Sequence, residues 1–231
     1  MRNRIVGDSH GVERWRGQSV SRIEALSDAV LGFAITLVIV SLEVPRTFDA
    51  LLGVVRGFPV FAICFGLLAL IWYKHYLFFR RYGLEDGITV LLNVILLFLV
   101  LFYVYPLKFL FSAALGEVRV TIDEGRQLFT IYGLGLSAVF VVIVLLYANA
   151  LRQKRKLELS PLECHVARIA MLDACGYILV AGVSIGIARF APAEHVLWAG
   201  WSYGLLGVTG FVVGYLGGVG RQRYESPRLT V

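Results

Sequence analysis

Apolar stretches of about twenty residues recur along this chain of 231 residues, and short charged segments separate them. A helix of that length crosses the ~30 Å hydrocarbon core of a bilayer, because each residue adds ~1.5 Å of rise. Strands of a membrane barrel would instead show alternating segments of about ten residues, and this sequence lacks that pattern. The stretches therefore predict an all-α integral membrane protein.

Six transmembrane helices are predicted, at about 20–42, 57–80, 87–112, 127–150, 164–188 and 195–219. The composition agrees, since 58% of the residues are hydrophobic and 16% are charged, against about a half and a quarter in soluble domains. Residues 1–19 would form a polar head and 221–231 a polar tail on either side of one transmembrane domain, 20–220. No segment is long enough for a separate soluble domain.

The distribution of basic residues predicts the orientation. Sixteen of the 22 lysines and arginines lie in the head region up to Arg22, in 74–81, in 151–168 and in the tail. The positive-inside rule then places both termini in the cytoplasm, and an even number of spans agrees with this. Membrane orientation also explains the net charge of +6, so no nucleic-acid partner is expected. We expect a multi-pass protein of the cytoplasmic membrane.

The first predicted helix carries two stripes at helical spacing. Its small residues, which would let another helix approach closely, are Ala25, Ala29, Gly32 and Thr36. Its bulky apolar residues are Val30, Phe33, Leu37 and Val40. We expect this helix to lie inside a bundle, because a lipid-facing helix needs no small stripe. Periodicity alone favours the interpretation that both faces are packed.

Asp28 lies inside the first apolar stretch, where a carboxylate costs ~3 kcal/mol or more unless it faces a partner or water. At 100° per residue it lies about 140° from Phe33, so it is not on the bulky stripe. We expect it to tie the first helix to a neighbour, with Trp72 and His75 as candidate partners at a matching depth. An ion pair with Arg22 at the helix end is an equal alternative.

Asp173 is a second acidic residue inside a predicted span. It could carry protons or cations, but an internal partner such as Tyr177, or a neutral carboxyl, is the preferred interpretation. The glycines of the sixth helix favour close packing within or between subunits. The three cysteines have no metal-ligand spacing, and no nucleophile, base and orienting group suggest catalysis. We therefore expect no enzyme activity, no cofactor and no resident metal.

The motif Arg22-x-x-x-Leu26-Ser27-Asp28-Ala-Val, followed by Ala34-Ile35-Thr36-Leu37, resembles the first-helix signature of the transmembrane protein 175 potassium channel family. Trp72-x-x-His75 at the end of the second helix and Asn93 in the third are similar to further features of that family. There are two departures. Leu26 stands where phenylalanine is usual, and Phe33 stands where isoleucine or leucine is usual.

The resemblance implies a potassium-permeable homotetramer in which the first helix of each subunit lines the pore. The family lacks the re-entrant selectivity-filter loop of ordinary potassium channels, and this chain has no Thr-Val-Gly-Tyr-Gly segment. Carried over by position, an apolar constriction is formed by Phe33, Leu37 and Val40, with Thr36 close to its face. Such a ring can close a channel by dewetting. The supporting network would comprise Arg22, Ser27, Asp28, Trp72, His75 and Asn93. The expected partners are potassium ions, lipid and further copies of the chain.

Two rival functions stay open at this point. One is a proton- or cation-coupled secondary transporter that uses Asp28 or Asp173, and the other is a non-conducting membrane scaffold. The sequence disfavours a transporter, because it has no inverted repeat and no helices broken by glycine and proline. It does not exclude a scaffold, because lining of a pore by the first helix is inferred from the resemblance.

Overall fold

The structure is a computed structural model that describes residues 15–17, 20–40, 46–114, 116 and 118–225, with the backbone alone at 39, 40, 50 and 221–225. This part of the chain forms eight α-helices: α1 (Arg22–Val40), α2 (Phe48–Arg56), α3 (Phe58–Tyr82), α4 (Gly87–Ala114), α5 (Ile122–Arg152), α6 (Pro161–Phe190), α7 (Trp198–Trp201) and α8 (Leu205–Glu225). Short 3-10 segments, Ala193–His195 and Ser202–Gly204, flank α7. Most of the predicted head, and 226–231 of the predicted tail, lie outside the described residues.

Five helical segments in the described part are long and apolar enough to cross a membrane: α3, α4, α5, α6 and the segment Ala193–Gly220. They correspond to the second to sixth predicted helices, which confirms an all-helical membrane protein. The counterpart of the first prediction is α1, which has 19 residues. Its length is about 28 Å at 1.5 Å per residue.

Helix starts are set by capping residues. At α5 the Thr121 side chain accepts a hydrogen bond from the Glu124 N–H, while the Glu124 carboxylate accepts one from the Thr121 N–H at 2.7 Å. Ser160 and Glu163 form the same capping box at α6. These bonds satisfy N–H groups that the first turn of a helix leaves unpaired. They start both helices earlier than hydrophobicity alone predicted, and α5 begins at Ile122 instead of about residue 127.

Residues 43–56 are predicted to connect two spans, but Phe48–Arg56 within them form α2. Asp49 lies in its first turn and Arg56 in its last, and both charges complement the helix dipole. Leu51, Leu52 and Val55 are exposed. A helix of nine residues is too short for its periodicity to separate it from a loop.

The bundle has two groups of helices. An inner group is formed by α1, α3 and α4, which pack on one another, and an outer group by α5, α6 and α8. The main contact between the groups is α4 against α5, supported by α3 against α5. At that junction the ring of Phe78 packs edge-on against Tyr147, with 5.2 Å between centroids.

Close helix contact in this chain depends on glycines of α5. A Cβ atom added to Gly135 would lie 2.5 Å from the Tyr103 ring of α4, and one added to Gly133 would lie 2.7 Å from Ile185 of α6. By contrast, no described residue comes within 4 Å of such an atom at five glycines of the sixth predicted helix, namely Gly204, Gly207, Gly210, Gly214 and Gly218. Within one chain these five therefore do not provide the close packing that the sequence favours.

Candidate functional site around helix α1

One face of α1 fixes the helix against α3 and α4. Four residues at i, i+4, i+7 and i+11 form this face, and each is at most 1% exposed: Ser27, Leu31, Ala34 and Val38. The start of the helix is fixed by a reciprocal pair, in which the Ser21 N–H donates to the Glu24 carboxylate at 2.8 Å and the Glu24 N–H donates to Ser21 Oγ at 3.2 Å. The rotation of α1 about its axis is therefore well defined.

The opposite face of α1 is not covered by any other described element, and we call it the uncovered face. Ala29, Gly32 and Thr36 are exposed, and the side chain of Phe33 is 59% exposed. At 100° per residue, Ala29 and Thr36 lie about 170° from the centre of the buried face. An exposed face of small and apolar side chains on a helix held this firmly is available to other copies of the chain or to a pore.

The residues predicted to form the constriction differ in their surroundings. Phe33 projects from the uncovered face, whereas Leu37 is half-buried at its edge and packs against the hydrophobic core. Thr36 donates its hydroxyl hydrogen to the Phe33 carbonyl at 2.7 Å, so its oxygen can still accept a hydrogen bond or contact a cation. The side chain of Val40 lies outside the described residues.

A buried polar chain joins α1, α4 and α3. Asn93 of α4 donates its amide N–H to Ser27 Oγ at 2.9 Å, and Ser27 donates its hydroxyl hydrogen to the Ile23 carbonyl at 2.7 Å. His75 Nε2 lies 2.9 Å from Asn93 Oδ1 and donates to it in the tautomer that leaves every bond in the chain matched. The three polar side chains are at most 2% exposed. The structure therefore brings together three of the residues that the resemblance assigns to the network.

Asp28 ties α1 to α3 by a second route. Its carboxylate accepts a hydrogen bond from Trp72 Nε1 at 2.9 Å. Of the candidate partners, His75 bonds to Asn93 instead. Arg22 is exposed, and among the described residues it forms no ion pair with Asp28. Arg22 is thus the one residue of the predicted network that these contacts do not include.

Two long-range ion pairs, one of them between helices, were not predicted from the sequence. Lys74 of α3 pairs with Asp173 of α6, so the internal partner expected for Asp173 is this lysine and not Tyr177. In the predicted orientation, Lys74 is counted among the basic residues on the cytoplasmic side of the membrane. Arg16 pairs with Glu163 at the start of α6, at 2.6 Å. Nothing in the sequence signals either pairing, because the partners are distant along the chain.

Asp86, in the loop before α4, forms a further polar junction that the sequence analysis missed. Its carboxylate accepts hydrogen bonds from the Thr89 hydroxyl at 2.7 Å, from Asn149 of α5 at 3.2 Å and from Gln153, just after α5, at 3.0 Å. Partial burial acts to raise the pKa of Asp86, but these hydrogen bonds outweigh it and lower the pKa to about 2. A negative charge there fixes the start of α4 to the end of α5.

Known proteins are similar to this chain over the same region and beyond it. The family model described as "Endosomal/lysosomal potassium channel TMEM175" matches residues 22–103, which include α1, α3 and Asn93. A protein named "Potassium channel" from Marivirga tractuosa is 42% identical over 207 residues, covering 82% of this chain and 84% of its own length. A potassium channel of Streptomyces collinus is 24% identical over 187 residues, covering 77% of this chain and 88% of its own length.

Two solved structures share the fold. A variant of the potassium channel MtTMEM175, crystallised with a nanobody–MBP fusion protein, superposes with a TM-score of 0.76 at 34% identity, covering 88% of this chain and 95% of that one. A lysosomal potassium-selective channel TMEM175 homolog from Chamaesiphon minutus gives a TM-score of 0.58 at 20% identity over 83% of this chain and 96% of that one. The second likeness supports the fold alone.

Proposed function

Because this chain belongs to the TMEM175 potassium channel family, we propose that it forms a potassium-permeable ion channel in a cytoplasmic membrane. The observation that carries the proposal is the geometry of α1. One face of the helix is locked to its own subunit, and the other presents Phe33 and Thr36 with no covering element among the described residues. That is the arrangement a pore-lining helix requires.

The proposed topology has six spans, with α1 as the first and both termini in the cytoplasm. The length of α1, about 28 Å, is close to the ~30 Å thickness of the hydrocarbon core. The turn after α5 carries the densest basic cluster, which includes the exposed side chains of Lys154, Arg155 and Lys156. The positive-inside rule assigns this turn to the cytoplasm. Six spans then bring the end of α8 back to the same side.

The proposed assembly is a homotetramer with α1 at the centre. One chain supplies one α1, so several copies must surround an axis for this helix to line a pore. Closed rings are the common form of symmetric oligomer. Assembly would also cover the apolar surface that Phe33 leaves exposed in the single chain.

In the tetramer, rings of Phe33, Leu37 and Val40 would form the apolar constriction. An apolar ring narrower than a hydrated ion replaces none of the water that the ion must shed, so it forms a barrier. The ring of Thr36 hydroxyl oxygens would supply polar contacts next to the Phe33 ring. Conduction through such a pore is passive, and the ion follows its electrochemical gradient.

A coupled transporter has less support than a channel. The carboxylate of Asp173 is paired with Lys74, and that of Asp28 accepts the Trp72 N–H. Both acidic residues thus have structural partners that account for their presence without a transport role. Measured ion flux distinguishes the channel from a non-conducting scaffold.

The test is potassium flux from liposomes that contain the purified protein. We expect flux that follows the electrical gradient and needs no proton gradient or counter-substrate. Protein-free liposomes are the control for leak. Flux that requires a proton gradient would favour the transporter, and an absence of flux from correctly assembled protein would favour the scaffold.

A further inference from the structure

The ion pair between Lys74 and Asp173 lies deep within two helices of different groups. Lys74 is about 12 Å from the end of α3 at Tyr82, and Asp173 is about 18 Å from the start of α6 at Pro161, at 1.5 Å per residue. The two side chains are 18% and 23% exposed. In the proposed topology both charges therefore lie within the apolar part of the bundle.

The Tyr177 ring contacts the Lys74 ammonium in addition to Asp173. Its Nζ lies 5.0 Å from the centre of the Tyr177 ring, which is within the range for a cation–π contact. Tyr177 is itself stacked on Phe140 of α5, with 4.0 Å between centroids and an interplanar angle of 5°. The ammonium is therefore held by two side chains of α6, one of which is stacked on α5, and the pair connects α3 to the outer group.

Stability alone does not explain such a pair. Charges are costly inside a membrane, and replacing a buried ion pair with well-packed apolar residues is often neutral or stabilising. Apolar side chains would thus hold α3 and α6 together at least as well. An ion pair differs from apolar packing because it fixes the relative position of two defined charged groups.

One turn of α3 carries bonds to three other helices. Trp72 donates to Asp28 of α1, His75 bonds to Asn93 of α4, and Lys74 pairs with α6. The contact to α6 and the contact to α1 are separated by two positions on the same rigid helix. A displacement of α6 that is transmitted to α3 through the ion pair would therefore also move Trp72. Through the Trp72–Asp28 hydrogen bond it would move α1.

We propose that Lys74 and Asp173 are positioning residues for gating, which hold the turn of α3 that carries Trp72 and thereby link the outer group of helices to α1. The pair touches neither the ion nor the pore and acts through the Trp72–Asp28 hydrogen bond. This inference rests on the proposed channel function and adds to it a route by which the outer group controls the pore.

The test is single-channel recording in planar bilayers for Lys74→Met, Asp173→Asn and the charge-swapped double variant Lys74→Glu/Asp173→Lys. We expect each single variant to change the open probability by about fivefold or more, the lower end for coupled sites, with unitary conductance and potassium-to-sodium preference unchanged. The charge swap should return the open probability to within about twofold of the wild type, because it restores the pair. Lys154→Met, which removes a lysine charge from the exposed turn after α5, should change nothing.

A second comparison tests the route through Trp72. Lys74→Met should shift the open probability in the same direction as Trp72→Phe, and it should add no further change in a Trp72→Phe background. If the effects of Lys74→Met and Trp72→Phe on the open probability multiply in the double variant, the proposed route through Trp72 is overturned. It is also overturned if the single variants alter the unitary conductance or leave the open probability unchanged. If a single variant fails to assemble, the charge-swapped double variant provides the test. The proposal is overturned if that variant assembles but its open probability does not return to the wild-type value. A wild type without current overturns the channel function as well, whereas wild-type current with insensitive variants overturns this inference alone.

Discussion

Leu37 and Ile35 occupy matching positions on the two flanks of the buried face of α1. Both are half-buried and pack against the hydrophobic core. They differ in their direction relative to the proposed pore, since Leu37 lies about 40° from Phe33 and Ile35 about 160° from it. A polar substitution should therefore have similar effects on packing at the two sites but different effects on conduction.

We predict that Leu37→Asn raises resting potassium conductance by about tenfold, which equals a barrier lowered by ~1.4 kcal/mol. An amide ring retains water where a leucine ring excludes it, so the ion loses less hydration. The measurement is flux or single-channel current, with Ile35→Asn as the matched control. If both variants assemble and only Ile35→Asn raises the leak, the pore does not lie on the side of Leu37.

Asp86 allows a test by pH at a site outside the membrane spans. Its pKa of about 2 in the folded protein lies below its usual value of 3.8, so the folded state binds this proton less readily than the unfolded state. The resulting stabilisation is complete above about pH 4 and is lost as the pH falls from about 4 through 2.

We predict that Asp86→Asn lowers the free energy of unfolding at pH 7 by about 1 kcal/mol, after allowance for solvent screening. The difference between the variant and the wild type should shrink as the pH falls below about 4. Thermal unfolding in detergent at several pH values measures both effects. Glu85→Gln, a neighbouring exposed carboxylate, is the control. A difference that stays constant down to pH 2 would contradict the assignment.

At the scale of elements, α1 is connected to α3 by two independent routes, the Ser27–Asn93–His75 chain and the Asp28–Trp72 bond. The first is buried and the second is partly exposed, since the Trp72 side chain is 37% exposed. Asp28 lies about 140° from Phe33 around the helix. We therefore propose that Asp28 sets the position of α1 and does not contact the ion.

We predict that Asp28→Asn mainly impairs folding or gating and leaves ion selectivity nearly unchanged. The neutral amide is a weaker acceptor for the Trp72 N–H than the carboxylate, so the tie to α3 weakens. Open probability and the reversal potential in mixed potassium and sodium separate the two effects. Asp49→Asn, in the exposed first turn of α2, is the control. An assembled variant with normal open probability and altered selectivity would place the carboxylate in the pore.

The sequence was sufficient for the long helices but not for the contacts between them. A span must satisfy every backbone hydrogen bond internally, so long apolar stretches predicted the membrane helices without tertiary information. The nine-residue α2 carried no such signal. The start of α5 was available from Thr121 and Glu124, whose spacing is that of a capping box, although hydrophobicity obscured it.

The candidate site was predictable where a motif named its residues. The resemblance in 22–40 is confirmed at the level of the family. The pairing of Lys74 with Asp173 spans 99 positions, and single-sequence patterns carry no information on which faces of α3 and α6 meet. Asp173 was recognised as costly in a membrane, but its partner required the packed structure.

At the scale of the whole molecule, the uncovered face of α1 has no partner among the described residues. Phe33 is large, apolar and 59% exposed, and the helix that carries it is fixed by its opposite face. If several copies meet around one axis, the same arrangement covers that surface and forms a pore. We therefore expect the functional unit to contain several copies of the chain.

We predict a stable homotetramer with a mass close to four times the subunit mass of 25.7 kDa. Native mass spectrometry or light scattering with correction for detergent measures this. Dilution to low protein concentration distinguishes a stable assembly from a transient one. A monomer or dimer that retains potassium flux would contradict the central position of α1.

The most direct test of the central claim is the accessibility of α1 from the pore. We propose single-channel recording of Phe33→Cys in a background without Cys164 and Cys175, with a charged, water-soluble thiol reagent added during conduction. Leu179→Cys is the control, since Leu179 is 66% exposed on the surface of α6. If Phe33 lines the pore, we expect the reagent to block or strongly reduce current through Phe33→Cys and to leave Leu179→Cys unaffected. Current through Phe33→Cys that is insensitive to the reagent, with block at Leu179→Cys, would contradict it.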